Sequence, residues 1–566
     1  MNKHYIQLEE ANCLNCMRCV RICPTKAMTY LNYQPIIQED ECILCGKCYV
    51  VCNHDAKKVY SDFALIQSWL KAKEQVIISL APSFVSVWPN LKQLRKDLLE
   101  LGFFKVEETA VGANLVSEIY AKLIQEKKLT NIITTCCPSV VSLVEKYYPE
   151  LTDQLAPVVS PMIAHGMLLK QQYPNSKVIF VTPCVAKQKE ADQKKYAGII
   201  DGCITMQELD ELLHRNFSFE NTYNSKEKWE DISGEIARVY PIVGGIVKTL
   251  PTSLQKDYHL ISVDGINRVK KTLEAIKKGE LSGYFIEMNM CEGSCLNGPL
   301  LSHFQPDEWR GRDAIYNNVD LFNKVKSCDN GQTFFTKYQP EHLSQVNYNE
   351  AQILDTLYLM GKTSKANELD CGMCGYETCR EKAIAVLQNK ADINICLPNA
   401  LEKAKSISNI IIENTPNGII VLNEQLLVQE INPAALHMLN LDNVNARGMP
   451  VLAILPSPEL IATIQNTVKI QYYQYSYESL QLVIEHAIIY LEKIHSYVLI
   501  LMDLSVDEAK DKIIKEMKAT TLKITQEVID KQMRTVQEIA SLLGETTAQS
   551  KVALTKLMKV ISEDDE

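Results

Sequence analysis

The 566-residue sequence predicts a multidomain chain, part α/β and part α+β, with a helical tail. Three observations predict it. From about residue 61 to 365, short apolar runs that end in functional-looking loops alternate with helical patterns, the rhythm of an α/β fold with its chemistry at the carboxyl ends of the strands. Sixteen of the nineteen cysteines fall into four groups: a repeated pair within residues 1–60, a dispersed set within 61–365 and a compact module within 366–402. Residues 403–505 carry a different succession of short strands, and residues 506–566 are charged and helix-rich.

Each element has its local reason. Thr29 to Ile37 is β-like and joins the two N-terminal cysteine runs. Val76-Ile-Ile-Ser-Leu reads as a buried strand and Leu91 to Leu101 as an amphipathic helix. Asn131-Ile-Ile-Thr-Thr and Lys177-Val-Ile-Phe-Val-Thr are further short strands, each running into a cysteine. After a helix-like start near residue 406 come Gly418-Ile-Ile-Val-Leu, Leu427-Val-Gln-Glu-Ile, an Asn432-Pro-Ala-Ala helix and a closing strand through Tyr497. In the tail, Leu522, Ile529, Met533, Val536, Ala540 and Leu543 follow a largely 3–4 spacing. Gly544 is placed as a C-cap, and a second helix over Thr547 to Ile561 completes a hairpin.

Composition narrows the function. Hydrophobic residues make up 46% and charged residues 23%, enough for each of several domains to bury a core. A net charge of −10 argues against nucleic acid or an anionic membrane as the main partner, and no apolar run reaches a membrane span. The start, Met1 to Tyr5, lacks the apolar core of a secretory signal, so a cytoplasmic, reducing location is expected, in an anaerobe. Disulfides are then a poor reading of these cysteines.

Spacing gives the better one. Cys13, Cys16, Cys19, Cys23 and Cys42, Cys45, Cys48, Cys52 are C-x2-C-x2-C-x3-C runs. In such runs the first three thiolates hold one 4Fe–4S cubane and the fourth reaches the other. This pairs Cys13, Cys16, Cys19 with Cys52, and Cys42, Cys45, Cys48 with Cys23. Structural zinc sites use pairs of C-x2-C instead. The third group, Cys137, Cys184, Cys291 and Cys295, lies in Thr134-Thr-Cys-Cys-Pro-Ser, Thr182-Pro-Cys-Val-Ala-Lys-Gln-Lys-Glu190 and Glu287-Met-Asn-Met-Cys-Glu-Gly-Ser-Cys295-Leu-Asn-Gly. Gly293, Ser294 and Gly298 leave room for a bulky inorganic group. The fourth is C-x2-C-x4-C-x16-C: Cys371, Cys374, Cys379, Cys396. Cys203 and Cys328 stand alone and read as structural.

Residues 1–60 resemble the bacterial two-cluster 4Fe–4S ferredoxin domain. The three dispersed segments are similar to the signature segments of the iron–iron (FeFe) hydrogenases. That resemblance implies a two-lobed α/β hydrogenase domain over 61–365 with an H-cluster between the lobes: a cubane joined to a two-iron subsite carrying CO, CN and a bridging dithiolate amine. By motif position Cys137, Cys184, Cys291 and Cys295 hold its cubane, with Cys295 the bridge to the two-iron subsite. Lys187 contacts one cyanide, Pro82 and Ser83 the other, and Cys136 passes the proton. The departures are Thr182 and Asn289, where the family places methionine, and Val140, where it places an aromatic. Ala156 replaces the relay serine, and no glutamate pair aligns in Ala113 to Leu123, only Glu118 being close. The implied hydrogenase is therefore slow. Residues 366–402 resemble a small 4Fe–4S domain, bringing the count to four cubanes, and 403–505 resemble a PAS domain, in which His437 reads as an ordinary helix residue, with a haem ligand the lesser alternative. The tail, 506–566, has no histidine to accept phosphate and reads as a dimer seam.

The reading is a sensory FeFe hydrogenase. Its substrates are H2 and protons, its redox partner is of the ferredoxin kind, and a kinase or phosphatase lies downstream of a homodimer. The alternatives are a metabolic, ferredoxin-linked hydrogenase and a non-catalytic iron–sulfur protein without the two-iron subsite.

Overall fold

The computed structural model describes residues 3–504 apart from 32–33, 89, 217–234, 305–307, 320–333, 344–345, 443, 465–469, 479, 481 and 492–494. Cys328 and the expected helical tail lie outside the described residues. The chain divides into two compact units, Met1–Asp392 and Ile393–Glu566.

The first unit begins with a structural repeat. Each N-terminal cysteine run feeds a short helix, Arg18–Ile22 and Lys47–Val50. Asn15 and Leu44, then Met17 and Gly46, hold matching left-handed positions with φ of 56°, 53°, 56° and 72°. These kinks fold each run into a tight loop that turns its thiols inward. Between the runs, Met28–Leu31 and Gln34–Ile37 form an antiparallel hairpin, and Ile6–Leu8 pairs with Lys57–Val59 to close the segment. Gly46 is needed for a second reason: a Cβ there would lie 2.5 Å from the Pro299 side chain, so this loop seats directly on the following α/β region.

That region is built on two parallel sheets. One has four strands in the order Lys105–Glu108, Val76–Leu80, Lys177–Thr182, Gly202–Thr205. The other has three, His259–Asp264, Tyr284–Asn289 and Ile132–Ile133. Val76 to Leu80 is buried at every residue, as a strand covered on both faces must be. The helices Ala110–Glu126 and Pro161–Gln172 cross so closely that a Cβ on Gly112 would meet the Pro161 carbonyl at 2.3 Å. Beneath that crossing His165 is fully buried, its Nδ1 2.9 Å from Ser79 Oγ, which in turn lies 2.7 Å from Thr109 Oγ1.

The second unit holds a five-stranded antiparallel sheet in the order Val428–Ile431, Gly418–Asn423, Ser496–Asp503, Leu482–Leu491, Ile470–Tyr477. Ile420, Leu422, Leu455, Leu499 and Leu501 form its core. Gly418 to Asn423 alternates buried and half-buried residues, the pattern of a sheet with one face covered. It is preceded by an 18-residue helix, Leu397–Asn414, which runs through residue 402 without a break. Among the described residues no helix is long and apolar enough to cross a membrane.

Burial holds the His165 imidazole neutral, with a pKa lowered to about 3. The unfolded chain takes up its proton near pH 6.5, so the stabilisation present above that value is lost as pH falls toward 3. From this group we expect stability to drop by up to about 1.4 kcal/mol per pH unit below 6.5. Denaturant titrations between pH 7 and 5 measure the slope, and His165→Gln should flatten it by that amount.

Candidate functional site

The carboxyl ends of five parallel strands meet at one cavity of about 90 Å³. Ala81, Pro82 and Ser83 follow the strand Val76–Leu80; Thr109 follows Lys105–Glu108; Pro183, Cys184 and Lys187 follow Lys177–Thr182. From the other sheet come Cys136 and Cys137, after Ile132–Ile133, and Asn289, at the end of Tyr284–Asn289. Cys295, Tyr240, Pro241, Met162 and Phe180 complete the principal walls. Parallel strands leave their loops at one edge, which is how residues 200 positions apart come together here.

The thiols of the first three groups lie near one another. Cys137, Cys184 and Cys295 line the cavity, and Cys291 interacts electrostatically with all three. In the N-terminal repeat, Cys19 interacts with Cys13, Cys16 and Cys52, whereas Cys45 interacts with Cys42 and Cys23, the crossed pairing of a two-cluster fold. The groups also interact electrostatically in series: Cys48 with Cys19, Cys45 with Cys291, and Tyr376 with both Cys374 and Cys23. Among the described residues no three His, Cys, Asp or Glu side chains converge on a single ion. A cubane, each of whose irons takes one thiolate, holds its ligands further apart than one zinc ion does. Of the fourth group, Cys371, Cys374 and Cys379 belong to the first unit and Cys396 to the second, where it is the N-cap residue of Leu397–Asn414.

Burial raises the pKa of several of these thiols: Cys184 to about 11, Cys45 to about 12, Cys136 to about 12. Cys136 therefore remains a thiol at neutral pH, its residual exposure facing the cavity. Its Sγ lies 3.2 Å from the Tyr120 hydroxyl, which also accepts the Thr135 backbone N–H. Tyr120 is fully buried with its ring edge-on to Phe285. Lys187 Nζ is 2.7 Å from Glu190 Oε2. Burial alone would lower the lysine pKa, but Glu190 and the neighbouring thiols overcome it and hold the cation. The Ser83 hydroxyl is buried, with no hydrogen-bond partner among the described residues.

The departures from the family pattern have places in this geometry. The Thr182 hydroxyl turns back onto the Cys184 backbone, at 2.9 and 3.0 Å, and shapes that loop. Asn289 lines the cavity and donates to Glu287. Ala156 is buried and has no polar side chain; its carbonyl accepts from Thr135 Oγ1 and from the Val158 N–H. His437 is exposed and paired with Asp442, and so does not face the sheet's core as an interior haem ligand would. Cys203 is buried in the strand Gly202–Thr205, as a structural thiol is.

Several residues could not be assigned from sequence. Tyr120 lies on the helix scanned for a glutamate, and it is this phenol that reaches Cys136. Glu287, inside the third motif, accepts the backbone N–H groups of Gly244 and Val247, while burial lifts its pKa to about 7. Glu108 and Arg238 form a buried bidentate pair at 2.6 and 2.7 Å, and Arg238 also holds the Asn318 carbonyl. This pair fixes the segment Glu235–Val239, which delivers Tyr240 and Pro241 to the cavity.

Thiols arranged for cubanes around an apolar, cation-bearing cavity define an iron–sulfur redox protein. Residues 74–299 match the family described as iron only hydrogenase large subunit, C-terminal domain. Residues 5–59 match a 4Fe-4S dicluster domain, 367–398 a putative Fe-S cluster domain that includes all four cysteines of the last group, and 407–470 a PAS domain. The chain is 27% identical over 413 residues to iron hydrogenase 1 of Clostridium pasteurianum, covering 57% of this chain and 71% of that protein. It is 25% identical over 370 residues to the periplasmic [Fe] hydrogenase large subunit of Nitratidesulfovibrio vulgaris, covering 52% and 86%. A solved [FeFe]-hydrogenase from Chlamydomonas reinhardtii aligns at 16% identity over 50% of this chain and 100% of that one, with a TM-score of 0.36.

Removing one partner of a buried pair strands the other charge. Arg238→Met should cost about 3–5 kcal/mol, whereas the double change Glu108→Leu, Arg238→Met should recover most of that loss. Calorimetry of the three proteins checks the order.

Proposed function

We propose that this chain is an FeFe hydrogenase of low turnover that reports H2 or redox state through its PAS domain. One observation carries the reading: Cys136, Cys137, Cys184, Cys295, Lys187, Pro82 and Ser83 line a single apolar cavity. The unpartnered Ser83 hydroxyl and the Lys187 ammonium are hydrogen-bond donors facing the same space, which suits a group carrying cyanide ligands. Gly298 also fits: a Cβ there would lie 2.6 Å from the Pro183 carbonyl, so the chain around Cys295 closes tightly on the site. When bound, the H-cluster supplies heterolytic cleavage and formation of H2.

The residues divide the remaining work. Cys137, Cys184, Cys291 and Cys295 would hold the cubane. Lys187, oriented by Glu190, and Ser83 with the Pro82 turn would hold the cyanide ligands of the two-iron subsite. Cys136 holds the proton at Sγ. The neighbour it has in place of a carboxylate is Tyr120, a phenol whose pKa burial raises well above the ordinary value. Such a group exchanges protons slowly, which supports low turnover. Electrons would follow the electrostatically linked groups Cys295/Cys291, Cys45, Cys48 and Cys19, with a branch from Cys23 past Tyr376 to Cys374, making four 4Fe–4S clusters in all. A ferredoxin-like redox partner and a signalling kinase or phosphatase complete the scheme, with the helical tail as a homodimer seam in a cytoplasmic protein.

The sensory part rests on the second unit. Cys396 caps the helix Leu397–Asn414, and Asn432 ties the last turn of that helix to the sheet. Its amide donates to the Ile412 and Asn417 carbonyls at 2.9 Å each, while its oxygen accepts from Ile419 and Ala435. A cluster ligand and the PAS core thus share one continuous helix.

Infrared spectra of protein matured with the H-cluster assembly enzymes test the reading. CO and cyanide bands are expected, and their absence would leave an iron–sulfur protein without the two-iron subsite. Cys136→Ala should keep the bands and lose about 10²- to 10⁴-fold in H2 turnover. Brisk H2 evolution by the unaltered protein with a reduced dye would favour the metabolic, ferredoxin-linked alternative.

A further inference from the structure

Lys57 is an anomaly in the N-terminal repeat. It opens the strand Lys57–Val59, yet its side chain is 3% exposed, whereas its neighbour Lys58 points to solvent. Among the described residues the hydrogen-bond acceptor of its ammonium is the Met28 thioether, at 3.9 Å, and no carboxylate pairs with it. A buried ammonium held only by a thioether is costly unless another negative charge neighbours it. The candidate counter-charge is close by. Lys57 and Cys52 line the same cavity, with Asp55, Glu208 and Glu211, none of which forms an ion pair with the ammonium among the described residues, and the ammonium interacts electrostatically with both Cys19 and Cys48. Cys19 and Cys48 belong to different clusters of the crossed pairing, so the one cation acts on both.

We propose that Lys57 is the built-in counter-ion of the two ferredoxin-type clusters and raises the reduction potential of at least one of them. Each reduction adds one electron to a cluster, breaks no bond and makes the cluster one unit more negative. A fixed cation in a low-dielectric setting stabilises that product more than the oxidised form. Lys57 is a positioning charge and touches no substrate. Its effect is to keep electrons from leaving the pair too readily, which suits clusters that store redox state between H2 chemistry and a PAS domain. The inference rests on the cluster assignment in residues 1–60.

The test is a dithionite titration followed by EPR on the full chain, reconstituted with iron and sulfide but without the two-iron subsite. Lys57→Met should lower the reduction equilibrium constant of at least one ferredoxin-type cluster tenfold or more, a shift of about 59 mV for one electron. Lys57→Arg, which keeps the charge, and Lys58→Met, which removes an exposed one, should each stay within about twofold of the unaltered protein, as should the cluster of the fourth cysteine group. If Lys57→Met does not retain iron, Lys57→Gln is titrated in its place with the same expectation. A change under twofold with full iron content, or an equal change in Lys58→Met, overturns the proposal. Unaltered protein that takes up no iron overturns the cluster assignment instead, so the two failures are distinguishable.

Discussion

Burial of thiols is the constraint on which the rest of this molecule depends. In water a cysteine ionises readily enough to bind metal; inside this protein, burial pushes Cys45 to about 12 and Cys184 to about 11. These side chains are poor thiolates without iron and good ligands with it, because metal binding displaces the proton that burial would otherwise retain. Cluster loading and the stability of the surrounding fold are therefore linked. The left-handed kinks at Asn15, Met17, Leu44 and Gly46 strain or restrict the backbone to aim thiols inward, and the binding energy of a cluster is what such an arrangement is built to capture.

The same constraint explains the two parallel sheets. A cluster of the N-terminal repeat takes three ligands from one tight loop and its fourth from the other run. A ligand set drawn from the ends of several strands lies in a wall that excludes water. The Pro82 turn, the Pro183–Cys184 turn and the Cys136–Cys137 turn each leave a buried strand at the same edge, so the backbone fixes their spacing before any side chain contributes. Glu108 and Arg238 extend that rigidity to Tyr240 and Pro241, which arrive from a segment with no strand of its own. A buried ion pair is a weak source of stability but a strict one in geometry, and strict geometry is what the cavity wall requires here.

Much of this was legible in the sequence, for a physical reason. Cysteine spacing encodes ligand geometry locally, and an apolar run of four to six residues ending in Cys or Pro marks a buried strand with a functional end. The expected strands at Val76–Leu80, Lys177–Thr182 and Gly418–Asn423 appear in the fold, as does the helix beginning at Leu91. What could not be read depends on tertiary neighbours. Tyr120 belongs to a helix whose buried face is largely apolar, so only the fold shows that its hydroxyl meets Cys136. Lys57 sits in a strand beside a second lysine, and nothing in Lys-Lys distinguishes the buried residue from the exposed one. His437 was legible as a histidine on a helix; its exposure depends on which face the helix turns to the sheet.

On the proposed reading, magnitudes limit how the PAS domain hears the clusters. Cys396 sits at the amino end of an 18-residue helix, where a gain of one negative charge is favourable. That interaction is worth about 0.3–1 kcal/mol at an exposed helix end and up to about 2 when partly buried. Reversing a two-state equilibrium from 1:99 to 99:1 takes about 5.5 kcal/mol. One electron acting through the helix dipole alone would thus shift populations by between about twofold and about thirtyfold, a graded bias and not a switch. A sharper response needs the far end of the helix to be bistable as well. Asn432 is the residue whose bonds such a transition would have to exchange, because its four hydrogen bonds join the helix, the loop after it and two elements of the PAS core. A side chain with every donor and acceptor engaged resists small displacements and yields only when several bonds change together, which is how a weak electrostatic input becomes a discrete conformational one.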